Sequence, residues 1–149
     1  MIIDSLSEFC DNEAVGGSTG RRLVGDVVPL GSAVPNLGIG AQMYLVIRVS
    51  AAFTSAGSAT VDFEFSSDAA AAIATDGSAT VHASTGAIAL TDLDAIGDTI
   101  AILPLPARAT YEDYLGIVAN VGTAALTAGS VDAFITPTPD NWKAYPGAK

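Results

Sequence analysis

Residues 60–66 alternate without a break. Val61, Phe63 and Phe65 point one way along an extended chain, and Thr60, Asp62, Glu64 and Ser66 point the other. A helix cannot use this pattern, because a 3.6-residue period would mix the phenylalanines and carboxylates around one face. Residues 42–50 repeat it, with Met43, Leu45, Ile47 and Val49 opposed to Tyr44, Val46, Arg48 and Ser50. Such strands need a second layer to bury their apolar faces, so the chain is bounded to an all-β sandwich or barrel.

The remaining segments fit that frame. Residues 23–30 form an apolar run ended by Gly31, followed by a loop with Pro35, Asn36 and Gly38. Residues 80–83 and 87–90 read as strands joined through Ser84, Thr85 and Gly86, and residues 99–103 as a strand stopped by Pro104 and Pro106. Residues 114–121 and 130–136 complete about eight strands. The alanine run 69–74 predicts one helical turn, too short to stand alone. Residues 1–20 have no sustained period and end in Gly16-Gly17-Ser18-Thr19-Gly20, the mark of an arm. Pro137, Pro139 and Pro146 make the close an irregular tail. The expectation is one domain over 149 residues: arm 1–21, antiparallel sandwich 22–136, tail 137–149.

Charge limits the partners. Sixteen acidic residues oppose six basic ones, a net −10. Arg48, Arg108, Lys143 and Lys149 are scattered, and only Arg21 and Arg22 adjoin. Nucleic-acid binding needs clustered cations against phosphates and is not expected. Anionic membranes would repel the chain. The uncharged stretches 27–47 and 114–131 are interrupted by Pro29 and Pro35 and by Asn120, Gly122 and Gly129, so neither is expected to span a membrane. The opening Met1-Ile2-Ile3-Asp4 lacks the basic and long apolar regions of a secretory signal. One cysteine, Cys10, and one histidine, His82, exclude an intrachain disulfide and zinc sites built from several such ligands.

Candidate chemistry is sparse. Asp62 and Glu64 lie on one strand face, about 7 Å apart by strand rise, but hydrolytic pairs come from different strands across a cleft. Their expected role is a solvated face. Asp92, Asp94 and Asp98 share a loop, yet the EF-hand pattern fails at Ile96 and Leu103. Turn-capping aspartates explain them better. His82 has no Gly-x-Ser-x-Gly elbow to serve. The 16–20 loop before Arg21 and Arg22 lacks the Lys-Ser/Thr ending of a phosphate loop. No catalytic, metal or cofactor-binding residue is expected. Trp142 and Tyr145, in the tail beyond the last strand, must pack back on their own domain or bury in a partner.

The order of several segments is familiar. Phe9-Cys10-Asp11-Asn12-Glu13-Ala14 follows the opening. Tyr44-Leu45-Val46-Ile47-Arg48-Val49 and Ala52-Phe53-Thr54 lie in the middle. Leu126-Thr127-Ala128-Gly129-Ser130-Val131-Asp132-Ala133-Phe134 and Trp142-Lys143-Ala144-Tyr145-Pro146 close the chain. This set resembles the small capsid cement, or decoration, proteins of short-tailed double-stranded DNA phages, and the Bordetella phage cement family in particular. Cys10 and the acidic stretch 92–98 depart from the pattern. The resemblance implies a non-enzymatic structural virion protein with a jelly-roll sandwich, acting as a homodimer, with a trimer as the alternative. It implies a place on the outer surface of the mature capsid, bridging neighbouring major capsid subunits. Position outside the strand pattern nominates Phe9, Arg21 and Arg22 in the arm and Trp142, Lys143 and Tyr145 in the tail as contacts. Two other readings compete: a carbohydrate-binding sandwich that stacks Tyr44, Tyr111 or Tyr114 on sugars, and a hydrolase using Asp62 and Glu64.

Overall fold

The computed structural model describes residues 7–31, 42–107 and 109–139. Nine strands follow in order: β1 (Glu8–Ala14), β2 (Gly20–Pro29), β3 (Tyr44–Ser55), β4 (Thr60–Asp68), β5 (Thr80–Ser84), β6 (Ile88–Ala89), β7 (Thr99–Pro104), β8 (Tyr114–Gly122) and β9 (Leu126–Thr136). They form two antiparallel sheets. The front sheet runs β1-β9-β3-β7, and the back sheet runs β2-β8-β4-β5 with β6 also on β4. Successive strands from β1 to β4, and again from β7 to β9, alternate between sheets. That winding gives the jelly roll, which buries both inner faces in one layer. Among the described residues no helix is long and apolar enough to cross a membrane.

The alternation read from the sequence places the core. Leu45, Ile47 and Val49 of β3 and Val131, Ala133 and Ile135 of β9 face Val61, Phe63 and Phe65 of β4 and Leu115, Ile117, Ala119 and Val121 of β8. Two ring pairs span the gap edge to face. Phe9 lies 6.1 Å from Phe65, and Phe53 lies 6.4 Å from Phe63. Such pairs add about 0.5–1.5 kcal/mol beyond the area they bury.

Two local expectations are corrected, and one strand is shorter than expected. Residues 8–14 are not an arm but the edge strand β1, paired with β9. Two register shifts and a positive φ at Asn12 (53°) break its period, which hides the strand from pattern reading. The strands expected over 80–83 and 87–90 form as β5 and β6, the second cut to two residues by a 3-10 turn at Leu90–Asp92. Both run along the same edge of β4, with Thr85 bridging the break through its amide to the Phe63 carbonyl. The alanine run 69–74 forms bends, not a helical turn.

The edge strand β1 is locked against β2 at Gly25. This residue has φ 69°, and a Cβ there would lie 2.6 Å from the Cys10 Cβ and closer still to the Phe9 carbonyl oxygen. Gly25→Ala should therefore cost at least about 2 kcal/mol, read as a lowered denaturant midpoint. An unchanged midpoint would show that β1 is not held there. The same packing buries the Cys10 thiol and, with Asp132 and Glu13 nearby, pushes its pKa up to about 12. Thiol reagents should modify Cys10 only as fast as β1 opens. Rapid stoichiometric labelling of the folded protein would contradict its burial.

Candidate functional site

The described residues scatter the expected contacts instead of gathering them. Phe9 is 1% exposed and belongs to the core, because β1 turns it onto Phe65. It is withdrawn as a contact residue. Arg21 lies on the outer face of the back sheet and grips Glu64 with two hydrogen bonds, Nε to Oε2 at 3.0 Å and the second nitrogen to Oε1 at 2.9 Å. Arg22 donates to the Gly16 carbonyl at 2.5 Å and to the Ser18 carbonyl, which closes the glycine-rich loop. This loop is thus tied down, and it bridges to Leu126 through Gly17. Trp142, Lys143 and Tyr145 lie outside the described residues.

The polar face of β4 is not solvated as expected. Glu64 and Ser66 are buried. Segment 69–79 returns to this side of the sheet, where Gly77 lies against the Arg21 guanidinium. The Asp68 carboxylate accepts the Ala70 amide at 3.0 Å and the Ala74 amide at 2.9 Å, and these bonds hold its pKa below the usual carboxylate value. Ile73 then drops onto Gly116, where any Cβ would meet its Cγ1 at 2.7 Å. Long-range folding of this kind leaves no period in the sequence. Asp62 is held separately, its Oδ1 accepting the Ser84 and Thr85 hydroxyls at 2.8 and 3.2 Å. Asp62 and Glu64 therefore serve hydrogen-bond networks on one strand and do not oppose each other across a cleft.

His82 meets a serine that no sequence motif marks. Its Nε2 lies 2.7 Å from Ser67 Oγ. Ser67 has no solvent exposure, so its hydroxyl is out of reach of a substrate. Tyr111 stacks on the imidazole at 4.4 Å and donates its hydroxyl to the Pro106 carbonyl at 2.7 Å. It is 2% exposed and cannot stack on a sugar, which corrects that expectation. Burial raises its phenol pKa. Tyr44 and Tyr114 are half-buried.

The loop with Asp92, Asp94 and Asp98 is fixed by the backbone, with the Val49 amide on the Asp98 carbonyl and the Gly97 amide on the Val49 carbonyl. Arg48 donates to the Gly97 carbonyl at 2.9 Å. Among the described residues no group of three or more histidine, cysteine or acidic side chains could hold a metal ion. Of the described carboxylates only Glu64 forms an ion pair. Among the described residues the large apolar side chains left exposed are Val81, Ile96 and Ile102. What the described residues offer is an acidic sandwich surface on which Asp62, Glu64 and His82 are each engaged in local hydrogen bonds.

No curated protein matches the chain. The Bbp16 family model matches residues 9–135, the whole jelly roll from β1 to the end of β9 but for single terminal residues. The chain belongs to the Bbp16 family, a family of phage proteins.

Proposed function

We propose that this protein is a non-enzymatic structural component of a phage virion that binds the outside of the mature capsid and bridges neighbouring major capsid subunits. Family membership across residues 9–135 is the observation that carries this reading. The two sheets closed on one buried core support it, because a clamp must transmit force through a folded unit. The unpaired carboxylates support it too. An acidic protein suits the outer side of a shell, away from the packaged DNA.

The mechanism is additive. Packaged DNA pushes the shell outward, and seams between subunits are where it opens. A clamp bound to both sides of a seam adds interface that must be lost before opening. A standard interface buries about 1,600 Å² in total. A homodimer engaging two capsid surfaces converts the second contact into an intramolecular one, so weak contacts sum to firm attachment. The tail is the candidate contact element, through Trp142, Lys143 and Tyr145, with Arg21 of β2, whose side chain is partly exposed on the sheet face, as a second candidate.

Co-sedimentation with mature and immature shells tests the proposal. Selective binding to the mature shell, with higher resistance of the shell to heat, is expected. Absence of binding to either shell would overturn it. Deleting residues 137–149 should leave a folded sandwich that no longer binds. Undiminished binding by that truncation would remove the tail from the interface.

A further inference from the structure

The register of β5 singles out one residue. Phe65 pairs with Ala83 and Ser66 with Val81, so His82 is the extra residue of a β-bulge. A bulge re-aims a side chain, and here it turns the imidazole towards Phe65, Ser67 and Tyr111. β5 is an edge strand, held on one side alone among the described residues. The imidazole thus stands where an edge strand, the central strand β4 and segment 109–113 meet.

The hydrogen bonds set its protonation state. The Glu112 amide donates to Ser67 Oγ at 3.1 Å. The Ser67 hydroxyl proton then has His82 Nε2, at 2.7 Å, as its acceptor. That proton has no other acceptor among the described residues, so a neutral ring with its proton on Nδ1 is the state that satisfies both groups. A proton added at Nε2 reverses this bond, leaves the buried Ser67 hydroxyl proton without that acceptor and puts a charge in a half-buried site.

We propose that His82 is an acid-released latch that holds edge strand β5 and segment 109–113 onto β4, so that its protonation opens this end of the sandwich before the rest unfolds. The groups facing the ring are few. From β4 these are Phe65 and Ser67, both uncharged. From segment 109–113 they are Tyr111 and Glu112. The Glu112 carboxylate favours the protonated ring, but it also accepts the Thr80 hydroxyl at 2.7 Å and so ties the same two elements. Asp68, next along β4, is engaged with Ala70 and Ala74 instead. Burial outweighs Glu112 and keeps the imidazole pKa below its ordinary 6.5.

The sign follows from linkage. The opened state takes up a proton near the ordinary value, and the closed state only at lower pH. Between those values the opened state binds more protons, so closure is strongest above the ordinary value and weakens as pH falls towards the folded one.

The chain has one histidine, so its ring proton resonances report His82 alone. Amide exchange and the imidazole titration are followed together by NMR from pH 7.5 to 5. The imidazole should titrate below its ordinary value. Protection of the Glu112 amide and the β5 amides, corrected for intrinsic exchange, should fall by up to about tenfold per pH unit through the window, while β3 and β9 amides hold. His82→Gln, a neutral acceptor for Ser67, should flatten this dependence. Ser67→Ala should raise the imidazole titration, and Glu112→Gln should lower it. The proposal fails if Glu112 and β5 protection is constant through the titration, if His82→Gln shows the same loss, or if the imidazole titrates at or above its ordinary value. The wild-type measurements decide the matter even where a variant does not fold.

Discussion

Two edge-to-face contacts between phenylalanines, Phe9 on Phe65 and Phe53 on Phe63, hold the two sheets at their working distance. Half the residues are apolar, but many are alanines, and the chain has only five phenylalanines. Full burial of a phenylalanine side chain is worth about 1.5–3 kcal/mol, several times what an alanine methyl supplies. Four of the five are therefore spent across this one gap. The backbone makes room for them. Phe53 lies over Gly129, where a Cβ would come within 2.5 Å of its ring, and Gly25 lets the strand carrying Phe9 close against β2. Once those rings are seated, β1 and β2 must lie side by side at one edge of the sandwich, and β3 and β9 must be neighbours.

Much of this was legible in the sequence, for a physical reason. β3 and β4 are central strands whose inner face is buried by another sheet, so burial imposes a period of two on their side chains. β1 was not legible. Its partner in β9 lies some 120 residues away, as in the bond from the Asn12 amide to Asp132, and two bulges break its alternation. Phe9 therefore passed for a loose aromatic when it is a core residue. The outer face of β4 failed for a different reason. Its polar pattern was read correctly, but polarity does not imply water. Glu64 is buried, and Arg21 meets it from β2 while Gly77 lies against the Arg21 guanidinium. Ser67 and Tyr111 gave no signal at all, since neither has meaning until the fold brings them to His82.

The surface follows from how the few cations are used. Arg21 is committed to Glu64, Arg22 to two loop carbonyls and Arg48 to the Gly97 carbonyl. Each ties segments of the chain together, so the described arginines act as internal fasteners. With a net −10 on the chain, the long-range field of the protein is negative. A surface of that kind discourages close approach of acidic partners and favours basic ones over the range of a Debye length, about 8 Å at physiological salt.

This constrains any pairing of two copies. Facing surfaces of like charge repel, so a homodimer of this chain has to close through uncharged surface and keep its carboxylates at the rim. β7 and β5 meet that requirement. Thr99–Pro104 carries no charge and exposes Ile102, and Thr80–Ser84 carries none at neutral pH and exposes Val81. Both are edge strands, which lack the charged side chains that usually blunt such edges. The two differ in one respect. β7 ends in Pro104, which removes a backbone donor, whereas β5 is pinned from within by His82. A contact made through β7 would thus be indifferent to the protonation of the imidazole, while one made through β5 would inherit its pH dependence.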